Sequence, residues 1–329
     1  MKLVKILLST ILLVHMAFGQ QLPQYRQFLM NKALFNPAAM GINNQSEINL
    51  VGRWQMLGFG LEPRTVALIG QTKIQKKQKI IFNPASRIGQ EIDSPDKKRK
   101  IKLVHFVGGQ VISDNYGAFQ STEFSGNYAV RIPLNTKWRL SLGASLGLSN
   151  HSFNPERAIV LNTADPLLPY TSGDQEYDSF TQGKMNQLSL NTGAGVTINS
   201  ADFFLSIGTK QLAKDFLTFG NSSLNFDRRT HWNVMTGYTF SIFNGLDLQP
   251  AILIKKMNPT DYSYEFSALA TINYIFWAGV NYHYKAATGI MVGMEVSDEL
   301  KIGYTMEFAT SRINYFSNGG HEIMLSYAF

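Results

Sequence analysis

The sequence predicts an all-β fold, a transmembrane antiparallel β-barrel of about fourteen strands, on three observations. The first is its ending. Ile323, Leu325, Tyr327 and Phe329 alternate with Glu322, Met324, Ser326 and Ala328, which puts one apolar face on a strand that closes with an aromatic residue. The second is the segment Trp138 to Ser149. Trp138, Leu140, Leu142, Ala144, Leu146 and Leu148 share one face, and Arg139, Ser141, Gly143, Ser145, Gly147 and Ser149 share the other. A soluble sandwich keeps its large side chains inside and its charges outside. Here one face is greasy throughout and the other is small and polar, as hydrocarbon outside and a crowded interior require. The third is hydropathy. Its mean is near zero, and beyond the first nineteen residues no apolar run reaches the ~20 residues of a membrane-spanning helix. A barrel passes that test because only alternate residues of its strands face lipid.

Residues 1–19 read as a secretory signal peptide, with Lys2 and Lys5 at the start, an apolar stretch from Ile6 to Phe18, and small residues at Ala17 and Gly19. Residues 20–46 form an irregular lead-in, and residues 47–329 the barrel. Without the leader, 28 basic residues face 23 acidic ones, a net charge of +5. Ten of the Lys and Arg lie between Lys73 and Lys102, against three acidic residues. Such charge runs are commonly solvated loops, and no nucleic-acid partner is expected. The chain has no cysteine, so neither a lipid-modified cysteine nor a disulfide can anchor or staple it.

After the lead-in the strand-length segments follow in order. Ile48, Leu50, Gly52, Trp54 and Met56 alternate with polar neighbours, and Val66 to Ile74 continues the pattern. After the basic stretch come Lys102–Ile112, a turn around Asp114–Gly117, Phe119–Ile132, Trp138–Ser149, Leu188–Asn199, Asp202–Lys210, Arg229–Ile242, Leu246–Lys256, Tyr262–Asn273, Ile275–Tyr284, Thr288–Val296, Lys301–Thr310 and the final strand. Pro250 cannot donate to a sheet ladder, which argues against a regular central strand there, so a bulge or a miscounted strand is expected. If Phe329 ends in the periplasm, the inferred periplasmic turns 133–136, 199–201, 243–245 and 297–298 are tight. The inferred outer loops 150–183, 211–228 and 310–319 are long. That asymmetry is expected of outer-membrane barrels. The segment 75–100 is the exception, long and on the periplasmic side, and reads as an insertion, a lumen plug, or a sign that the inferred strand register fails early in the chain.

Catalytic chemistry finds little support. His105, His151, His231, His283 and His321 are scattered, and neither a Gly-x-Ser-x-Gly elbow nor a His-Glu-x-x-His pattern occurs. His321 and Glu322 point to opposite faces of one strand and cannot form a dyad. Asp165, Asp174, Glu176 and Asp178 lack the glycine-centred spacing of a calcium loop. No metal, cofactor or catalytic residue is assigned.

Several stretches resemble one family. Leu22-Pro23-Gln24-Tyr25, Phe28 and Met30, and Phe35-Asn36-Pro37-Ala38-Ala39-Met40-Gly41 resemble the opening pattern of the PorP/SprF outer-membrane proteins of the Bacteroidetes type IX secretion system. Arg53-Trp54-Gln55, Gly58-Phe59 and Pro63-Arg64-Thr65 are similar to its next region, although the Gln-Trp order is inverted and Glu62 stands where alanine is common. Gly108-Gly109 with Asp114 and Gly117 resembles its third-strand turn. Lys301-Ile302-Gly303-Tyr304 with Gly320-His321-Glu322-Ile323-Met324-Leu325 resembles its closing hairpin. The basic 75–100 stretch departs from the family's short turn. The resemblance implies a non-enzymatic role beside the type IX translocon. The expected partners are secretion components, a secreted adhesin or other cargo, outer-membrane lipid and, in one branch, a peptidoglycan-binding periplasmic protein. Candidate contacts are Asn36 and Pro37 in the lead-in and Pro155, Pro169, Tyr170, Tyr177 and Phe180 in the long outer loop, where aromatic residues beside prolines make rigid patches. Asn36-Pro37 also reads as a turn that fixes the lead-in. The alternative function is a passive channel or hydrophobic-solute transporter.

Overall fold

A computed structural model of the protein describes residues 24–58, 62–74, 103–158, 186–213, 215–217, 226–257, 262–310 and 317–329, together with Asp178. The signal-peptide region, the basic 75–100 stretch and most of the 150–183 loop lie outside the described residues.

The strands are β1 Glu47–Trp54, β2 Arg64–Ile74, β3 Val104–Tyr116, β4 Phe119–Pro133, β5 Arg139–Phe153, β6 Asn186–Asn199 and β7 Phe203–Lys210. They continue with β8 Asp215–Leu217, β9 Phe226–Arg228, β10 His231–Tyr238, β11 Phe240–Phe243, β12 Leu246–Met257, β13 Ser263–Ile272, β14 Phe276–His283, β15 Ala287–Glu295, β16 Leu300–Ala309 and β17 Gly320–Ala328. β8 and β9 form a separate short hairpin. The others pair with their sequence neighbours, and β1 closes on β17 from Glu47↔Ala328 to Trp54↔His321. β10 and β11 both pair with β12 and together make one wall strand. The result is a closed antiparallel barrel of fourteen strands, which leaves no free sheet edge.

The interruption between β10 and β11 accommodates Pro250. Gly237 pairs with Ala251 and Phe240 with Leu248, so the register is the same on both sides of the gap. Thr239 donates its N–H to the Asp202 carbonyl at 2.7 Å instead of to the ladder. At Pro250 the ladder therefore breaks locally without the register shift of a bulge. A shift does occur nearby, between Ser241 and Phe243.

Alternation sorts the side chains as the sequence predicts. Leu142, Leu146, Leu148, Ile323, Leu325, Tyr327 and Phe329 are exposed on the outer wall, while Ser141, Ser149, Glu322, Met324, Ser326 and Ala328 are buried inside. One rim carries tight connections at 134–138, 200–202, 244–245, 273–275 and 296–299, and is called the turn rim. The opposite, loop rim carries the long connections after β5, β7 and β16. Wall height is uneven. β4 and β5 have 15 residues each and β14 has 8, so β4 and β5 rise about 20 Å further at ~3.3 Å per residue before tilt is allowed for.

Candidate functional site: a plugged lumen

A fourteen-stranded barrel is too wide for its own inward side chains to fill. Residues 24–46 fill it. They pass through the lumen in two short 3-10 turns, Lys32–Leu34 and Pro37–Ala39, from the loop rim near Arg53 to the turn rim at Glu47. Tyr25, Phe28, Leu29, Leu34 and Phe35 are buried in one cluster with Val51, Ile69, Ile112, Phe204, Met235, Leu253, Leu269, Trp277, Met291 and Met324. This is the hydrophobic core of a globular domain placed inside a membrane barrel. Each fully buried apolar side chain contributes about 2 kcal/mol, so the plug is held first by burial.

Near the loop rim the plug is also held by charge. Arg26 of the plug makes a two-pronged contact with Glu307, Nε to Oε2 and Nη2 to Oε1, the latter at 3.0 Å. Its Nη1 lies 3.4 Å from Glu265 Oε2. Arg53 of β1 donates to Glu307 at 2.7 Å and to the Gln24 carbonyl at 2.7 Å, with Glu322 at 3.6 Å. Lys255 approaches Glu265 at 3.6 Å. Glu322 accepts from two plug amides, Arg26 N–H at 2.7 Å and Gln27 N–H at 2.9 Å. Three cations and three carboxylates thus meet inside the barrel, and the group is neutral. Taking such charges out of water costs several kcal/mol per ion unless each is paired. The strands set this array by register, because Arg53 stands opposite Glu322 and Glu322 opposite Thr305 on the same inward face.

Near the turn rim the attachment is mainly steric and through neutral groups, with the Arg131 guanidinium joining at its end. Asn36 caps the second 3-10 turn by accepting from the Ala38 N–H at 2.9 Å, and Pro37 occupies the first position of that turn, where no N–H is needed. The Asn36 amide nitrogen donates toward Ser206 Oγ at 2.7 Å, the Ile207 carbonyl at 3.0 Å and the Val196 carbonyl at 3.2 Å. Room for it comes from a row of inward glycines. Gly143 pairs with Gly195, and Gly195 with Gly208. A Cβ on Gly208 would sit 2.9 Å from Asn36 Cβ, and one on Gly143 would overlap the backbone at Pro37 and Ala38. Gly41 ends the anchored stretch at φ +64°, against the Phe106 ring, where a Cβ could not fit. Its carbonyl accepts from Arg131, which lies 4.7 Å from the Phe106 ring centroid.

The candidate contact residues are placed as follows. Asn36 and Pro37 are not at an exposed surface; they are buried in the lumen against β5, β6 and β7. Pro155 begins a 3-10 turn just above β5. Pro169, Tyr170, Tyr177 and Phe180 lie outside the described residues. Among the described residues the lumen is occupied by the lead-in; the 75–100 stretch, for which a lumen plug is one reading, lies outside them. Sequence reasoning also passed over Arg26, Arg53, Glu265 and Glu307. For Arg53, Glu265 and Glu307 the one signal is a charged residue on the inner face of a strand whose other face is apolar; Arg26 lies in the irregular lead-in and has no such pattern.

No catalytic constellation is assembled among the described residues. His283 Nε2 pairs with Ser263 Oγ at 2.8 Å, but its Nδ1 has no hydrogen-bond partner to orient the ring. His321 faces outward to Tyr304 while Glu322 faces inward. No group of three or more metal-ligating side chains occurs among the described residues.

No curated protein matches the chain. Among solved structures, the Acinetobacter baumannii outer membrane protein Omp33 aligns at TM-score 0.46 and 9% identity, over 87% of this chain and 99% of that one. The P. putida toluene transporter TodX aligns at TM-score 0.48 and 10% identity, over 91% and 94%. The translocator domain of the autotransporter NalP from Neisseria meningitidis aligns at 0.38 and 9%, over 92% and 96%. The family described as type IX secretion system membrane protein PorP/SprF matches residues 17–327, nearly the whole chain and all fourteen wall strands with their plug. The protein therefore belongs to the PorP/SprF family of type IX secretion system membrane proteins, and its barrel spans the outer membrane.

Proposed function

We propose that the protein is a closed docking scaffold of the type IX secretion system, which holds a secreted cargo or surface adhesin at the cell surface. The observation that carries this reading is the filled lumen. Among the described residues this segment is buried against wall strands on all sides and tied at both ends of its path, which supports a closed lumen as the resting state. A barrel without a pore works through its surfaces. In this reading residues 1–19 are removed on export, residues 20–46 serve as an internal plug, and contact falls to the loop rim, where Pro155, Pro169, Tyr170, Tyr177 and Phe180 form the cargo patch. Asn36 and Pro37 contribute by fixing the plug.

The test pairs two measurements. Deleting the gene and profiling surface proteins should remove one large adhesin or cargo while leaving other secreted proteins in place. General loss of secreted proteins would instead assign the protein to the core machinery, beside a periplasmic peptidoglycan-binding partner. In planar bilayers the purified chain should conduct only weakly. Robust flux of ions or hydrophobic solutes without any partner would replace the scaffold by a channel.

A further inference from the structure

The charged side chains that point inward at the turn rim sort by sign. On β1, β12, β15 and β16 they are Glu47, Asp247, Glu295 and Lys301, mostly acidic. On β2, β4 and β5 they are Lys73, Arg131 and Arg139, all basic. The acids of the first side are partnered. Gln71 and Asn49 donate to Glu47, Ser241 donates to Asp247 at 2.7 Å, and Lys301 pairs with Glu295. On the second side, among the described residues, no carboxylate forms an ion pair with any of the bases.

Arg131 is the anomaly. Its side chain is only 3% exposed, and a guanidinium taken that far out of water ordinarily meets a carboxylate. Here Nη1 donates to Asn44 Oδ1 and Nη2 to the Gly41 carbonyl, both neutral, while Nε has no partner. Its charge is left uncompensated just inside the mouth. Arg139 is the diagonal neighbour of Arg131 across β4 and β5, about 7–8 Å away on the same inward face. Arg139 is half-buried, and Lys137 is exposed on the turn between these strands. Lys73 stands two strands to the other side of Arg131, through the Lys73↔Phe106 and Phe106↔Ala129 pairs. The plug leaves the lumen along this arc, and its exit, residues 41–46, carries no charge. Asp202, in the turn after β6, is exposed and forms no ion pair among the described residues. The chain from β2 to β3 begins and ends at this rim, and holds nine Lys and Arg against three acidic residues.

Short connections mark the periplasmic end of an outer-membrane barrel, so the arc opens to the periplasm. We propose that it binds an acidic polypeptide segment of a periplasmic partner protein. Arg139 and Lys73 meet carboxylates directly, Arg139 in the two-pronged geometry that a guanidinium offers. The uncompensated charge of Arg131 adds attraction from an interior that screens it poorly. Three features select this class of partner. The bases point inward, away from lipid headgroups. Lys73 and Arg139 are separated by three strand spacings, at least ~14 Å, which one small anion does not bridge and an extended chain of about five residues does. The acidic far half of the rim repels the same segment and so fixes how it lies. The site is on the opposite side of the membrane from the cargo patch and does not depend on the docking reading.

The full chain, purified in detergent and checked for the mobility shift of a folded barrel, is titrated into fluorescein-labelled hexaglutamate, and binding is read by anisotropy. Hexaglutamate should bind and hexaglutamine should not. Lys73→Gln/Arg139→Gln removes no ion pair of the fold and should weaken binding about tenfold. Lys285→Gln, at the loop rim, should leave it unchanged. Arg131 stays in place in these variants because it also holds the plug. Undiminished binding in Lys73→Gln/Arg139→Gln, or an equal loss in Lys285→Gln, would overturn the site. Inorganic phosphate competing as well as the unlabelled peptide would overturn the polypeptide assignment. Hexaglutamate that binds only to Glu91→Gln/Asp93→Asn/Asp96→Asn would mean that the chain's own acids occupy the arc, and would overturn the partner.

Discussion

Along β5, β6 and β7 the wall yields to the plug, whereas along β13, β16, β17 and β1 it reaches in to grasp it. On the first side Gly143, Gly195 and Gly208 give up their side-chain volume, and neutral backbone and Asn36 contacts fill the space. On the second side Glu265, Glu307, Glu322 and Arg53 extend inward and meet Arg26 and the plug's amides. The difference teaches how one short, irregular segment is seated uniquely in a wide cylinder. Apolar burial favours many arrangements of similar energy, and a steric slot or a set of matched charges admits one. The glycine slot fixes depth at the turn rim, and the charge array fixes orientation at the loop rim.

The largest effect should come from breaking the charge array. Glu322→Ala leaves Arg53 and Arg26 with one carboxylate fewer and strips two plug amides of their acceptor, at a cost of about 3–5 kcal/mol. Urea unfolding of the detergent-folded barrel, followed by gel mobility, reads this directly. Glu322→Gln removes the charge but keeps one of the two acceptor oxygens, and should lose less; equal losses would mean that the lost charge dominates and the amide acceptor contributes little.

Next comes a matched pair of glycine substitutions, one on each side. A Cβ at Gly143 meets the plug backbone, which cannot move without lifting the Asn36 turn, so Gly143→Ala should destabilise by about 1–3 kcal/mol. At Gly303 the obstacle is the tip of the Gln27 side chain, which can rotate away, and Gly303→Ala should cost less than about 1 kcal/mol. Similar losses at both positions would erase the proposed contrast between slot and grasp.

Asn36→Ala removes the cap and the donations to β6 and β7, for about 2 kcal/mol. Asn36→Asp keeps the acceptor for Ala38 but loses the donor and buries a charge, so it should be worse than alanine. If aspartate were tolerated better, capping alone would be what Asn36 supplies. The smallest effect is expected far from the plug. Lys301 and Glu295 pair at the turn rim with side chains about a third exposed, and Lys301→Ala should change stability by less than about 1 kcal/mol.

The wall was legible in the sequence because alternation is a local property. The pattern of Trp138–Ser149 and that of Ile323–Phe329 each assign inside and outside without reference to any other strand. The plug was not legible as a plug. Tyr25, Phe28, Leu34 and Phe35 follow no helical or strand period, because they fill an irregular cavity shaped by distant strands. The Asn36-Pro37 turn could be read locally, but its burial could not.

By itself the sequence determined a closed, lipid-facing β wall and, through its ordered motifs, the family to which the chain belongs. Only the tertiary structure decided what fills the wall and how. Arg26 and Glu265 are separated by more than two hundred residues and come into contact only once the cylinder closes and each strand's register is set. Contacts of that kind depend on the three-dimensional meeting of inward faces, which a one-dimensional pattern does not encode.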